Sequence, residues 1–296
     1  MLLAFNSHVA LHTDRQSGER SESGRGSTRM LAALCAALFA GAWLAAPVAA
    51  QDKPQTNTYT PQSGQAGKDV VWVPTPQALV DRMLDMAKVT PQDYLIDLGS
   101  GDGRTVITAA QRGLKAHGIE YNPDMVELAK QEAAKAGVTD RATFEKADLF
   151  ESDFSKAQVI TLFLLPSINE KLRPQILDLA PGTRIVSNTF EMGDWEPDET
   201  STVGGDCTSY CKALLWIVPA KVEGTWKVGD QQLTLTQKYQ KLTGTLGSAP
   251  ISDAKVNGNQ ITFKANGAEY TGTVNGTGIS GTIAGGPGGN WSATKG

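Results

Sequence analysis

Histidine and cysteine are scarce in this chain, and their scarcity excludes whole classes of chemistry. Three His occur in 296 residues. His8 and His12 precede an apolar segment that reads as removable, which leaves His117 alone in the body of the chain. A His-rich zinc centre is thereby excluded, and a Ser-His-Asp triad would have to use His117 as its base. The three Cys are Cys35, inside the apolar run, and the pair Cys207 and Cys211. No paired CxxC spacing of the zinc type exists, so no metal is expected. Positive charge is short as well: 27 Lys and Arg against 31 Asp and Glu leave a formal charge of −4. A nucleic-acid binder presents a basic face that displaces phosphate counterions, and this balance gives no reason to expect one.

What is present begins with an address. Residues 1–29 are polar, Ser/Arg-rich and aperiodic, a composition that cannot build a core. Met30 to Ala50 then carries no charge and ends in Val48-Ala49-Ala50 before Gln51-Asp52-Lys53. Small residues after a short apolar run behind Arg29 describe a secretory signal cleaved after Ala50, with no stable membrane insertion afterwards. An uncleaved membrane anchor is the alternative, since a segment of this length just spans a bilayer. Either reading puts the body outside the cytoplasmic membrane. There Cys207 and Cys211 can pair as a short local disulfide, or remain two reduced core cysteines; spacing alone leaves both open. Residues 51–70, rich in Gln, Thr, Pro and Gly, read as a linker.

From residue 71 to 219 apolar runs and helical patterns alternate. A helical stripe runs from Gln77 to Lys88, with Thr75 as its candidate N-cap and Pro76 at its start. Strands are expected at Tyr94–Leu98, Lys115–Ile119, Ala142–Lys146, Val159–Leu165 and Arg184–Ser187, with a late one at Leu214–Val218 that can run antiparallel to its neighbours. Helices are expected at Thr105–Arg112, Pro123–Ala136 and Ile168–Leu179. Such alternation implies an α/β fold, a mainly parallel sheet whose ligand site lies at the carboxyl ends of its strands.

The first of these strands runs into Asp97-Leu98-Gly99-Ser100-Gly101-Asp102-Gly103-Arg104, and a helix follows. A glycine turn at that place lets the backbone approach a nucleotide-like ligand. A dinucleotide site aims such a loop at pyrophosphate, which carboxylates repel; this loop carries Asp97 and Asp102. Glu120 ends the second strand, where an acid grips the two hydroxyls of a ribose, and Asp148 follows the third. A ligand suited to this ring has a ribose, an adenine and a cationic tail, which S-adenosylmethionine (SAM) supplies. A Gly-rich turn with solvated acids, or an NAD site using Glu120, are the competing readings.

Asp97–Arg104, Glu120, Asp148 and Thr161-Leu162-Phe163-Leu164-Leu165-Pro166 resemble a class I SAM-dependent methyltransferase. More narrowly, Val73-Pro74-Thr75-Pro76, the DLGSGDGR loop and Pro181-Gly182-Thr183-Arg184 are similar to the small lysine methyltransferases of the adenine nucleotide translocase and the ATP synthase c subunit, and their bacterial relatives. The similarity covers roughly residues 70–218. It implies a Rossmann-like seven-stranded methyltransferase sheet. It also implies a cofactor site built from Asp97, Gly99, Ser100, Gly101, Asp102 and Gly103 at the methionine end. Glu120 would take the ribose, and Asp148 with Leu149 the adenine edge. Pro74-Thr75-Pro76 would close over the methyl group. Tyr121 and Asn122, beside the ribose acid, could line the pocket; for Asn122 capping of the helix behind Pro123 is the equal alternative.

No catalytic base is identified. The fourth strand ends in Leu164-Leu165-Pro166-Ser167, whereas base-methylating enzymes place Asp/Asn-Pro-Pro-Tyr/Phe there. The acceptor is therefore expected to be a protein lysine or a small amine rather than nucleic acid. Asn169, Glu170 and Trp195 are candidates for the acceptor side. A non-catalytic exported binding protein and an NAD-linked oxidoreductase are the rival functions, and export separates the body from a cofactor made in the cytoplasm. Oligomeric state cannot be read from the chain.

Beyond Pro219 the texture changes, and 15 of the 31 glycines follow Lys221. Eight short alternating strands separated by Asn257-Gly258, Asn266-Gly267, Asn275-Gly276 and similar turns predict a small all-β, barrel-like domain over 220–296. It holds no catalytic constellation.

Overall fold

Alternation of apolar runs with amphipathic helices is what builds the first half of the described chain. The computed structural model describes residues 59–69, 71–205, 207–286 and 288–296. The polar lead, the apolar segment 30–50 and residues 51–58 of the expected linker lie outside the described residues. Within them, no helix is long and apolar enough to cross a membrane.

Five parallel strands come first: β1 (Tyr94–Leu98), β2 (Lys115–Glu120), β3 (Ala142–Lys146), β4 (Val159–Leu162) and β5 (Arg184–Asn188). Two more extend it: β7 (Lys212–Ile217) runs antiparallel to β5, and β6 (Glu199–Thr202) antiparallel to β7, giving the order β3-β2-β1-β4-β5-β7-β6. Helices α1 (Gln77–Met86), α2 (Arg104–Gln111), α3 (Pro123–Lys135) and α4 (Pro166–Leu177) cover it. Every residue of β4 is buried, as expected of a central strand covered on both faces. The α1 stripe of Leu79, Val80, Met83, Leu84 and Met86 faces the sheet, three to four residues apart as one helical face requires. Strand order reverses between β2-β1 and β1-β4, so a crevice opens above the carboxyl ends of β1 and β4.

Three sequence expectations need correction here. The fourth strand stops at Leu162 rather than Leu165, because Pro166 lacks an N–H and opens α4, turning the chain away. Thr75 does not cap α1: Pro76 occupies the N-cap position, and the Thr75 hydroxyl instead accepts a hydrogen bond from Asn188 Nδ2 at 3.2 Å. Trp195 is wholly buried between Trp216 and Tyr239, with centroids 6.2 and 5.8 Å away, and does not line the crevice above β1 and β4.

The chain then builds strands β8 (Gly224–Val228), β9 (Gln231–Lys238), β10 (Lys241–Leu246), β11 (Ala249–Pro250), β12 (Ser252–Asn257), β13 (Gln260–Ala265), β14 (Ala268–Asn275), β15 (Gly278–Ala284) and β16 (Gly289–Lys295). Antiparallel neighbours pair in turn, and the ends meet through β16–β8–β9–β10, so the sheet closes into an eight-stranded barrel with the two-residue β11 attached to β10. Period-2 alternation fills it: β14 buries every second residue, and Phe263 stacks on Tyr270 at 4.7 Å with the Trp291 edge against both. Asn266 and Gly267, both at positive φ, close the β13–β14 hairpin. The barrel is tied to the first sheet by Ala220 N–H to Gly258 O, by Tyr239 OH to Asp194, and by the Lys241–Glu196 ion pair.

Candidate active site

The crevice at the β1/β4 reversal is a cavity, partly open to solvent, whose floor is the loop after β1. Gly99, Gly101 and Gly103 all have φ between 54° and 81°, a region that favours glycine. The Gly99 and Ser100 N–H groups both donate to Ile119 O, at 2.9 and 3.0 Å, which folds the loop onto β2. Gly103 lies under α2, where a Cβ would come within 2.8 Å of Phe144 and Ala129; its role is helix-to-sheet contact, and it does not line the cavity.

The acids stand around this floor in different states. Asp97 is buried near the end of β1, and its Oδ1 accepts the Thr161 hydroxyl proton at 2.6 Å. Burial pushes its carboxyl up to about 7, opposed by the Thr161 bond and helped by the neighbouring charges of Asp102 and Glu120. Glu120 is locked by two backbone donors: Gly101 N–H to Oε2 at 2.9 Å and Asn122 N–H to Oε1 at 2.8 Å. Asp102 is gripped by Arg104, whose Nη2 approaches to 2.5 Å while its Nη1 donates to Thr75 O at 2.9 Å. Asp148 accepts from Lys68 and from the Phe150 N–H, which hold its carboxyl below the usual range.

A segment expected to be linker covers the mouth. Gly64 N–H donates to Trp72 O and Trp72 N–H to Gln65 O, at 2.7 and 2.9 Å, forming a hook with an Ala66–Val71 bridge. Lys68 anchors the hook by pairing with Asp148 and standing 4.7 Å over the Tyr121 ring. Trp72 lies over Gly101 so closely that a Cβ there would sit 2.5 Å from its Nε1. Polar, glycine-containing sequence gave no periodicity to betray this strap; the one signal was a lone Trp72 in it.

Of the residues singled out from sequence, Thr75, Asp97, Gly99, Ser100, Gly101, Asp102, Glu120, Tyr121, Asn122, Asp148 and Leu149 line this one cavity. Pro76 and Gly103 do not: one starts α1, the other packs beneath α2. Asn122 also caps α3, accepting from Asp124 N–H at 2.9 Å. Asn169 is fully buried and off the cavity, holding backbone carbonyls instead, and Glu170 is exposed beside Gly193. Sequence reasoning missed Lys68, Trp72, Met125 and Ile168 as lining residues.

The lining carries five acids, Asp69, Asp97, Asp102, Glu120 and Asp148, against two bases, Lys68 and Arg104. Both bases pair with acids of the same rim, so the cavity faces its ligand with excess negative charge. Such a field repels a pyrophosphate and attracts a cation. Carboxylates around a left-handed glycine floor fit SAM, a nucleoside with a sulfonium and an ammonium.

Comparison with known proteins agrees. Residues 97–199 match the model of the ANTKMT methyltransferase domain. A protein-lysine N-methyltransferase of Saccharolobus islandicus is 47% identical over 137 residues, 45% of this chain and 85% of that one. The adenine nucleotide translocase lysine N-methyltransferase of Mus musculus is 35% identical over 120 residues, 40% of this chain; the chain spans about half of that relative, 52%. A solved structure described as an RNA methyltransferase from Salinibacter ruber, in complex with S-adenosyl-L-homocysteine, is 49% identical with a TM-score of 0.48, covering 51% of this chain and 96% of that one. With the acid-ringed glycine loop and most of the archaeal enzyme's length in common, the chain belongs to the ANTKMT methyltransferase family and is a SAM-dependent methyltransferase.

Proposed function

We propose that this methyltransferase transfers its methyl group to the side-chain amine of protein lysine. The observation that carries the reading is the anionic cavity over the β1–α2 loop, joined to relatives named as lysine methyltransferases. SAM supplies an electrophilic methyl on a sulfonium, so the protein's work is to hold, align and exclude water. Glu120, immobilised by the Gly101 and Asn122 amides, suits a ribose diol. Asp97 with the loop suits a cationic methionine tail, and Leu149 the adenine. Trp72 and the strap above Gly101 narrow the opening of the pocket to solvent. The acceptor amine must arrive unprotonated, its usual pKa being near 10.4, and displaces the methyl from sulfur as its lone pair forms the new C–N bond. A net charge of −4 and the lack of an Asp/Asn-Pro-Pro-Tyr/Phe segment after β4 support a protein acceptor over RNA.

Incubating the purified chain with methyl-labelled SAM and, separately, lysine-containing peptides or total RNA tests this. Label on lysine is expected; label on RNA alone overturns the lysine assignment. We also propose that the chain works outside the cytoplasm. The apolar run ending at Ala50 supports this, as does the Cys207–Cys211 disulfide, a bond that persists in oxidising compartments. A reporter fused after Ala50 is expected to be exported, and cytoplasmic retention overturns the proposal.

A further inference from the structure

Three aromatic rings meet beside the cofactor cavity, and each is held there by a different device. Phe163 leaves the end of β4 and lines the cavity. Phe190 follows β5 and stacks on it at 5.9 Å and 20°; Tyr210, in the loop between β6 and β7, meets Phe163 edge-on at 5.2 Å and Phe190 at 5.9 Å. All three are reached from one rim, because Thr189 N–H donates to Lys212 O where β5 and β7 adjoin.

The backbone that presents two of these rings is strained. Thr189, just before Phe190, has φ 62°, and Tyr210 has φ 55°; both are non-glycine residues in the left-handed region, which side chains disfavour. Such positions persist only where the surroundings over-determine them. Phe190 O accepts from Ser187 Oγ at 2.7 Å and from buried Asn169 Nδ2 at 3.3 Å. Tyr210 sits in the loop closed by the Cys207–Cys211 disulfide. Core packing does not explain such fixing, because the Tyr210 side of the trio is open: that residue is 39% exposed.

The ring faces are also free of cations. Among the described residues Lys or Arg groups stand over Tyr121, Phe150, Tyr239 and Trp226, and over none of these three. Rings without an internal cation, continuous with a methyl-donor cavity, suit one occupant: a methylene stem ending in an amine. We propose that Phe163, Phe190 and Tyr210 form the clamp that receives the acceptor lysine, with the Cys207–Cys211 disulfide and Asn169 as its positioning groups. This rests on the lysine reading above. It adds that acceptor affinity depends on the disulfide while cofactor affinity does not.

The test uses the full chain with methyl-labelled SAM and a synthetic lysine peptide that the wild type methylates, together with S-adenosylhomocysteine binding by calorimetry. Tyr210→Ala is expected to raise KM for the peptide about 4- to 15-fold, the loss of one or two buried methylenes of the lysine stem, with S-adenosylhomocysteine affinity unchanged. Tyr210→Phe, which keeps the ring, should restore KM, whereas Tyr210→Leu should not. Dithiothreitol should raise KM in the wild type but not in the Cys207→Ser/Cys211→Ser variant, whose KM is already raised. Unchanged cofactor binding shows that each variant is folded. If lysine is methylated and neither Tyr210→Ala nor dithiothreitol moves KM, the clamp is overturned and the lysine reading stands. If the wild type binds S-adenosylhomocysteine but methylates no lysine peptide, both fall.

Discussion

Asp97→Asn tests whether the cavity is built for charge rather than for shape. The side chains are isosteric, and Asn keeps an oxygen to accept the Thr161 hydroxyl. What changes is an ionisable group whose carboxyl burial raises from 3.8 to about 7. A raised acid binds its proton more tightly folded than unfolded, so folding stability is undiminished below pH ~4, falls as pH rises, and levels off above ~7. At 1.36 kcal/mol per pKa unit the full loss is roughly 4 kcal/mol, and at pH 5 it is roughly 2 kcal/mol. Against this, the new amide N–H2 lacks an acceptor, a cost of ~1–3 kcal/mol. The variant without cofactor should therefore be more stable than wild type at pH 8 by roughly 1–3 kcal/mol, and within about 1 kcal/mol of it at pH 5. Cofactor affinity should move the other way, by about 10- to 100-fold, since a hydrogen bond to a charged group contributes ~1.5–3 kcal/mol. Wild-type affinity should also fall as pH drops below 7, when the carboxylate takes up its proton. Thermal unfolding from pH 5 to 8, with calorimetric SAM titration of both proteins, measures all of this. A variant that is less stable at every pH, or that binds SAM normally, refutes the reasoning.

Glu120→Gln turns an amide N–H2 toward one of two backbone N–H donors; SAM affinity should drop at least ~10-fold with little change in unfolding midpoint, and unchanged calorimetric affinity would count against the ribose assignment. Gly101→Ala must hold φ 54° and displace Trp72, so the strap over residues 59–75 should become protease-sensitive and the Trp72 environment should change in fluorescence. Lys68→Ala removes the Asp148 pair and the contact over Tyr121; because the pair is solvent-screened, the unfolding midpoint should barely move, while stopped-flow release of S-adenosylhomocysteine should quicken.

What the sequence revealed, and what it hid, follows from where each segment buries its side chains. The β1–loop–α2 unit was readable because hydrophobic period changes across a run of glycines that only a tight turn needs. The barrel was readable because strict alternation survives in β14 and β13 between Asn-Gly turns. Strand β6 went unseen: Glu199–Thr202 is an edge strand with no fully buried residue, so no apolar pattern marks it. Phe163–Leu165 were read as strand because they are as apolar as the four residues before them, and hydropathy does not distinguish a buried strand from a pocket wall. The strap was hidden for the opposite reason, its attachment being polar and long-range, between Lys68 and Asp148, eighty residues on.

That strap also sorts the acids the sequence could only group together. Asp102 and Asp148 appear in sequence as members of one ring with Asp97 and Glu120, but each carries a cation that tethers the covering segment. Arg104 holds Asp102 with one edge and the Thr75 carbonyl with another, and Lys68 reaches Asp148 from the hook itself. Among the described residues Glu120 is held by uncharged amides and Asp97 by a hydroxyl, and no cation of theirs pairs with either acid. Selectivity for a cation is thus separable from closure. Neutralising Asp148 or Lys68 should change how fast the cofactor leaves, whereas neutralising Asp97 or Glu120 should change whether a sulfonium is preferred over its uncharged thioether. The ratio of SAM to S-adenosylhomocysteine affinity, measured across the four positions, should fall toward one at Asp97 and Glu120 and hold constant at Lys68 and Asp148; a uniform change at all four would mean that the ring acts as one charge and that the strap has no separate part.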